Sequence, residues 1–377
     1  MLCWNFPPAV GGIEAVAFHL WEELRHHDCA VEGIARHSST PASEEGISRP
    51  EKAGLVTYLG FSFFAARRIL KKKSTRLIVC PGIVDAPVAW LLSKWYKVPF
   101  VLLAHGTDIM REGSVYRKVT RFFFRAAEGV AVNSQNTREL LEAIGVDPQR
   151  IRIIHPGVCI PEAQPETIPP EIESLLAKKN GPILMTVGRV IRRKGIGEFI
   201  KHVMPALVEK NPDLHYVVVG ADASDSLAHH EKLLDQLQAQ TRELGLDGNV
   251  SFTGKVSDAA LQTLLSKADL LVFPVIPIPG DVEGFGIVVL EGAVQGVPAV
   301  ASRIGGIPDA VEEGQSGLLV EPENWTEMTQ TVQELISDPE KRIEMGRRAA
   351  ERAKNEFRWE AIGRKYIRFF EDCSSHD

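Results

Sequence analysis

The chain has 377 residues, 44% of them hydrophobic and 24% charged, with a formal net charge of -6. Single cores rarely grow that large, so two domains are expected, and the acidic balance argues against a nucleic-acid partner gripped by bulk charge. Five scattered cysteines without a CxxC pair fit reduced thiols and offer no zinc site; with no signal peptide and no apolar run of about eighteen residues, a cytoplasmic α/β enzyme is expected.

Residues 1–6 (MLCWNF) read as a short buried strand ended by Pro7 and Pro8; a fuller version would begin several residues earlier. Gly11 and Gly12 form a turn, and a helix is expected from Ile13 to His26. Strands follow at Ala30–Ala35 and Gly54–Leu59, then a helix at Phe63–Lys73 and a strand at Arg76–Cys80. Next come helix Ala86–Tyr96, strand Phe100–Ala104, helix Tyr116–Ala127 and strand Gly129–Asn133. Helix Asn136–Ile144 and strand Ile151–His155 close the series. Strands separated by helices of this length indicate a parallel, doubly wound sheet.

From Gly157 to Pro182 the alternation lapses into prolines and acids (PEAQPETIPPEIE), which marks a linker over 158–180 with one helix expected at Glu171–Lys179. The second series runs strand Ile183–Val187, helix Gly197–Lys210, strand His215–Val219 and helix Glu231–Leu244. It continues with strand Val250–Thr253, helix Asp258–Lys267, strand Leu270–Phe273, a helix from Gly286, and strands Ala299–Ser302 and Gly317–Val320; the remainder reads as helical. Two such domains, 1–157 and 181–357, would hold a ligand in the cleft between them, beyond the carboxyl ends of their strands.

Five stretches carry the candidate chemistry. FPPAVGGIE (Phe6–Glu14) is a proline-fixed turn feeding two glycines into a helix start, where Gly12 can present its N–H to a phosphate. His105, followed by Gly106, Thr107 and Asp108, ends the strand VLLA and points toward the crevice; it suits a sugar hydroxyl or a proton. The competing reading is a structural histidine with Asp108 capping the next helix. VGRVIRRKG (Val187–Gly195) sets four cations in a short loop after a buried strand, of which Arg189 and Lys194 are expected to meet phosphate, with Arg192 and Arg193 solvated. In FTGKVSD (Phe252–Asp258), Ser257 or Asp258 is expected to cap a helix, and backbone groups around Val256 to read a base edge.

The fifth stretch, DVEGFGIVVLEGAVQ (Asp281–Gln295), is the one the others answer to. An acidic, glycine-rich turn runs into an apolar helix, with Glu283 in the turn and Glu291 eight residues on. At about 1.5 Å per residue, the two carboxylates lie about 10 Å apart, suited to opposite ends of one bound molecule. The N–H groups of Gly286, Ile287 and Val288 would form a helix N-terminus that favours a phosphate. A plain loop-to-helix junction, one glutamate solvated and one capping, is the alternative. The dinucleotide and P-loop fingerprints fail: Ile200 stands where a third glycine is needed, and Gly254-Lys255 continues with Val256. A serine nucleophile elbow, HExxH and Asp/His metal clusters are absent, so no metal site is expected.

The ordered set FPPAVGGIE, HGTD, VNS, IHPGV, VGR with KG, FTG, EGFGIVVLEGAVQGVPAVAS and GGIPDAVEEGQSGLLV resembles the retaining glycosyltransferases of family 4 from Phe6 to about Phe357. Glu283 and Glu291 match that family's E-x7-E motif, while Gly292-Ala293-Val294 stands where Ala-Met-Ala is more frequent. The resemblance implies the GT-B fold, two Rossmann-like domains facing across a cleft, and a hexosyltransferase using a GDP- or UDP-sugar without cofactor or divalent metal. Arg189 and Lys194 would grip the diphosphate, with Gly12 approaching it from the other domain. Val256 would meet the base and Glu291 the ribose. Glu283, with the N–H groups near Phe285, Gly286, Ile287 and Val288, would orient the transferred sugar, and His105 would contact it near the reacting centre. Retention without an evident nucleophile implies attack from the face the leaving group vacates, the phosphate taking the acceptor's proton. The last helix, about 358–377, would cross back to the first domain.

The acceptor is expected to be a saccharide or lipid-linked. Arg67–Arg76 and RKVTRFFFR (117–125) combine cations with aromatics, which fits peripheral contact with the inner face of a membrane; the competing reading is a solvated helix face over core phenylalanines. A nucleotide-sugar epimerase or hydrolase of the same fold is the alternative enzyme, and a non-catalytic nucleotide-sugar sensor the alternative outside catalysis.

Overall fold

The computed structural model describes residues 1–375 apart from 9–10, 39–45, 73, 162–169, 171–172, 174–180 and 223–231. It divides into two compact units, Met1–Gly157 with Phe357–Asp377, and Val158–Glu356. The helix expected at Glu171–Lys179 lies outside the described residues, save Glu173.

In the first unit, all strand pairs are parallel. Strands β1 (Leu2–Cys3), β2 (Gly33–Ala35) and β3 (Ile47–Ser48) form one sheet in that order. Strands β4 (Ile78–Cys80), β5 (Phe100–Ala104), β6 (Gly129–Val132) and β7 (Ile151–Ile153) form the other. Just past β1, the Trp4 N–H donates to Asp85 Oδ2 beyond β4 at 3.1 Å, so the chain reverses its direction of winding between β1 and β4. Helices α1 (Gly12–His26), α2 (Leu55–Leu70), α3 (Ala86–Tyr96), α4 (Thr107–Met110), α5 (Ser114–Ala126) and α6 (Gln135–Ala143) connect the strands. Strand β5 is buried at every position, as a strand covered on both faces must be.

One expectation is narrowed here and another fails. Residues 1–6 pair only over β1. Gly54–Leu59 is helix, not strand: α2 runs unbroken from Leu55, with Tyr58, Ser62, Ala66 and Leu70 buried. That four-residue spacing is a helical stripe, and it overrides the β preference of the Val56-Thr57-Tyr58 run.

In the second unit, six parallel strands stand in the order β10-β9-β8-β11-β12-β13. They are β8 (Ile183–Val187), β9 (His215–Val219), β10 (Val250–Gly254), β11 (Leu270–Phe273), β12 (Ala299–Ser302) and β13 (Gly317–Val320). Helices α7 (Ile196–His202), α8 (Met204–Lys210), α9 (Leu234–Glu243), α10 (Asp258–Lys267), α11 (Ile287–Val294), α12 (Ile307–Ala310), α13 (Trp325–Ser337) and α14 (Pro339–Glu356) surround them. The single helix expected over Gly197–Lys210 is broken at Val203, because Pro205 has no N–H to continue the ladder. Winding reverses between neighbours β8 and β11, the position at which open α/β sheets bind ligands beyond their strand ends.

The last helix, α15 (Trp359–Ser374), belongs to the first unit. It packs on α1 with no room to spare: a Cβ on Gly363 would lie 2.8 Å from Glu23, and one on Gly157 2.4 Å from the Trp359 ring.

Candidate active site

The loop after β8 and the segment after β11 are pressed together at the reversal point of the second unit. Gly195 makes the approach feasible: its φ is +64°, and an added Cβ would sit 1.9 Å from the Pro274 carbonyl oxygen. The Ile276 N–H donates to the Arg193 carbonyl at 2.9 Å. A short 3-10 turn over Arg192–Lys194 then directs two neighbouring cations inward. Arg193, 6% exposed, donates from Nε to Asp281 at 2.9 Å and from a terminal nitrogen to Glu283. Lys194 Nζ donates to the same Glu283 oxygen at 2.8 Å and lies 4.3 Å from the Phe273 ring centre.

The expectation that Arg193 is solvated is therefore wrong; it is the most enclosed of the four cations. Arg189 and Arg192 are the exposed ones. Burial pushes the Glu283 carboxyl up, but Lys194 and Arg193 more than reverse this and hold it at about 2. Burial also lowers the Lys194 ammonium, more than its attraction to Glu283 restores, and Arg193 and Arg189 add repulsion. At neutral pH, Glu283 is thus an ionised carboxylate held from both sides. Its carbonyl accepts from the Gly306 N–H at 2.9 Å, which fixes the backbone as well as the side chain.

Helix α11 begins at Ile287, one residue after the expected start at Gly286. Phe285 is buried, Gly286 caps the helix with φ +88°, and no side chain caps the first turn, where Ile287 and Val288 follow. Glu291 lies half-buried in the second turn; burial, then the nearby Asp258 charge, push its carboxyl up, with Lys194 opposing. Val256 is half-buried in the turn between β10 and α10, and Ser257 caps α10 by accepting from the Ala260 N–H at 3.2 Å.

The first unit holds the other expected residues. His105 follows β5 and is 8% exposed. Its backbone N–H donates to both Asp108 oxygens (3.1 and 3.3 Å), and its ring Nε2 lies 2.8 Å from the Pro81 carbonyl beyond β4. A carbonyl only accepts, so the proton sits on Nε2 and Nδ1 is the acceptor of the neutral ring. Asp108 thus works back on His105. Asn133 donates to the His105 carbonyl at 3.5 Å and accepts from Thr137 Oγ1 at 2.8 Å, while His155 Nδ1 meets the Asn133 carbonyl at 3.0 Å. The HGTD, VNS and IHPGV stretches therefore form one hydrogen-bonded cluster. Gly12 is exposed as the first residue of α1.

Residues 10–160 match the family model for Glycosyltransferase Family 4, and residues 167–352 match that for Glycosyl transferases group 1. The alpha-maltose-1-phosphate synthase of Mycolicibacterium smegmatis is 30% identical over 307 residues, covering 76% of this chain and 76% of that protein. The chain belongs to the group 1 glycosyl transferases. The D-inositol 3-phosphate glycosyltransferase of Corynebacterium glutamicum is 27% identical to this glycosyltransferase over 356 residues, 88% of the chain and 80% of the relative. Anabaena Alr3699/HepE, solved in complex with UDP-glucose, has a TM-score of 0.77 at 20% identity, over 98% of this chain and 99% of that one. The fold is thus that of the GT-B glycosyltransferases, two Rossmann-like domains, and the chain is a hexosyltransferase drawing on a nucleotide-sugar donor.

Proposed function

We propose that this glycosyltransferase moves a hexose-type sugar from a UDP- or GDP-sugar to a saccharide or lipid-linked acceptor, with retention and without a divalent metal. The observation that carries the reading is the Arg193–Glu283–Lys194 cluster beside the start of α11. Arg189 and Lys194 meet the diphosphate, and the first N–H groups of α11, around Phe285–Val288, add positive potential there. Gly12 offers the diphosphate a backbone N–H unobstructed by a side chain. Glu283, kept ionised, accepts from hydroxyls of the transferred sugar, and Nδ1 of His105 accepts from another. Glu291 takes the ribose hydroxyls and Val256 the base.

The bond from the sugar's anomeric carbon to the β-phosphate oxygen breaks as the acceptor oxygen bonds to that carbon on the same face. The acceptor's proton passes to the departing phosphate, and the nucleoside diphosphate leaves. Charge on the leaving group is met by cations already in place, which is the preorganised form of transition-state stabilisation. A cytoplasmic enzyme, peripheral on the inner face of a membrane where its acceptor is lipid-linked, fits this chemistry.

The test is a thermal-shift screen of UDP, GDP and their sugars, followed by label transfer to saccharide and lipid acceptors in EDTA and NMR of the product anomer. Transfer that persists in EDTA with the donor's anomeric configuration is expected. An inverted product, loss of transfer in EDTA, or donor breakdown or epimerisation without any acceptor would overturn the corresponding part of the reading.

A further inference from the structure

Three adjacent helices of the first unit present a face that the donor chemistry does not use. Helix α3 packs against both α2 and α5, through edge-to-face rings: Phe63 with Trp95 at 5.6 Å and Trp90 with Phe122 at 5.4 Å. On the outer side, Phe64 is 68% exposed, Trp95 59%, Phe122 49%, Val119 46% and Leu91 36%. The last two pairs follow helical spacing: Leu91 and Trp95 are one turn apart on α3, as Val119 and Phe122 are on α5. The same three helices carry seven lysines and arginines and no aspartate or glutamate, in a chain whose net charge is -6. Arg67 and Arg68 of the first basic stretch fall at the end of α2, and the stretch 117–125 falls on α5. Helix α3, lying against both, adds Lys94 and Trp95 and turns two runs into one surface.

We propose that the α2–α3–α5 face seats the enzyme on an anionic lipid bilayer, with Trp95 and Phe122 entering the headgroup region and the cations meeting lipid phosphates. Exposed apolar side chains on an acid-free cationic helix layer are the composition of interfacial helices. A nucleic acid would use the charge but not Leu91, Val119 or Phe64. The inference rests on this surface alone and stands apart from the assignment of the donor site.

Sedimentation of the full chain with vesicles of phosphatidylcholine, alone or mixed with phosphatidylglycerol, at low and high salt tests it. Retention by the mixed vesicles only, lost in high salt, is expected. Arg121→Gln with Arg125→Gln should weaken the partition by about 30-fold, at about fivefold per cation near a charged surface. Trp95→Ser with Phe122→Ser should weaken binding while leaving its salt dependence in place. Arg347→Gln with Arg348→Gln, exposed cations of α14, should change nothing. Absence of parent binding to anionic vesicles, which needs no variant, would overturn the proposal. So would binding that neither surface pair alters, or retention by duplex DNA in place of lipid.

Discussion

Arg193→Gln removes the guanidinium that joins the loop after β8 to Asp281 and Glu283. Those carboxylates are each 12% exposed and Arg193 6%, so the charges it leaves behind are screened little by solvent. Deleting one partner of a buried pair costs about 3–5 kcal/mol, and because Lys194 stays on Glu283 the lower end applies. At about 2–4 °C per kcal/mol for a unit of this size, the melting temperature should fall by about 6–12 °C at pH 7. The acid limb gives an independent check. A Glu283 carboxyl held at about 2 lies below its unfolded value, so its contribution is present above about pH 4.5 and is lost as pH falls toward 2. At 1.36 kcal/mol per unit this amounts to about 3 kcal/mol. With one cation gone, the folded value rises and the stability lost below pH 4.5 shrinks. Calorimetry of parent and variant between pH 3 and pH 7 measures both. An Arg193→Gln protein that melts with its parent at pH 7 and keeps the same acid limb would refute the stabilising role of the Arg193 ion pairs. Arg193→Lys should recover only part of the loss, since an ammonium cannot reach both carboxylates in the fork geometry of a guanidinium.

Glu283→Gln should cut transfer by about 10²–10³ in turnover, the scale of one preorganised electrostatic contact, and steady-state kinetics with UDP- and GDP-sugars reads this directly. Gly195→Ala would drive its Cβ to 1.9 Å from the Pro274 oxygen at a φ of +64°; unfolding at a lower denaturant midpoint by about 1–3 kcal/mol is expected, and an unchanged midpoint would contradict the close approach. In the first unit, burial pushes the Asp85 carboxyl up to about 7, against the hydrogen bonds from Tyr58 and Trp4. Its folded value is raised, so stability should fall as pH climbs from about 4 to about 7, by about 4 kcal/mol. Asp85→Asn should flatten that slope in urea titrations.

The sheets were legible because parallel strands buried on both faces write themselves as unbroken apolar runs: the observed bounds of β5, β8, β9, β11, β12 and β13 coincide with the expected ones. Misreadings arose where local preference and long-range pattern disagree. Val56-Thr57-Tyr58 favours a strand locally, and only the buried series at 58, 62, 66 and 70 reveals the helix. Pro205 lies inside the expected Gly197–Lys210 helix, and its missing N–H divides that helix in two. At the site, Arg192, Arg193 and Lys194 look alike in composition. Which of them turns inward depends on a 3-10 turn closed by the left-handed Gly195, and that is geometry rather than residue type. A usable signal did exist: two acids, Asp281 and Glu283, stand two apart in the acidic turn, one more than Lys194 alone can satisfy.

The two glutamates of the E-x7-E motif sit in opposite electrostatic settings, and the contrast follows from their neighbours. Burial acts on both to favour the neutral acid. At Glu283 two bonded cations overturn that preference, so its charge is fixed before any ligand arrives. At Glu291 the Asp258 charge adds to the effect of burial, and Lys194 opposes it without reversing it. A neutral, hydroxyl-bearing partner suits Glu291, because bringing a further anion there would repeat the Asp258 penalty. In the proposed function the anionic groups lie at Arg189 and at the α11 N-terminus, whose first turn has no side-chain cap. One molecule meets all three demands when a phosphate centre lies between polyhydroxyl ends, which is the layout of a nucleotide-sugar.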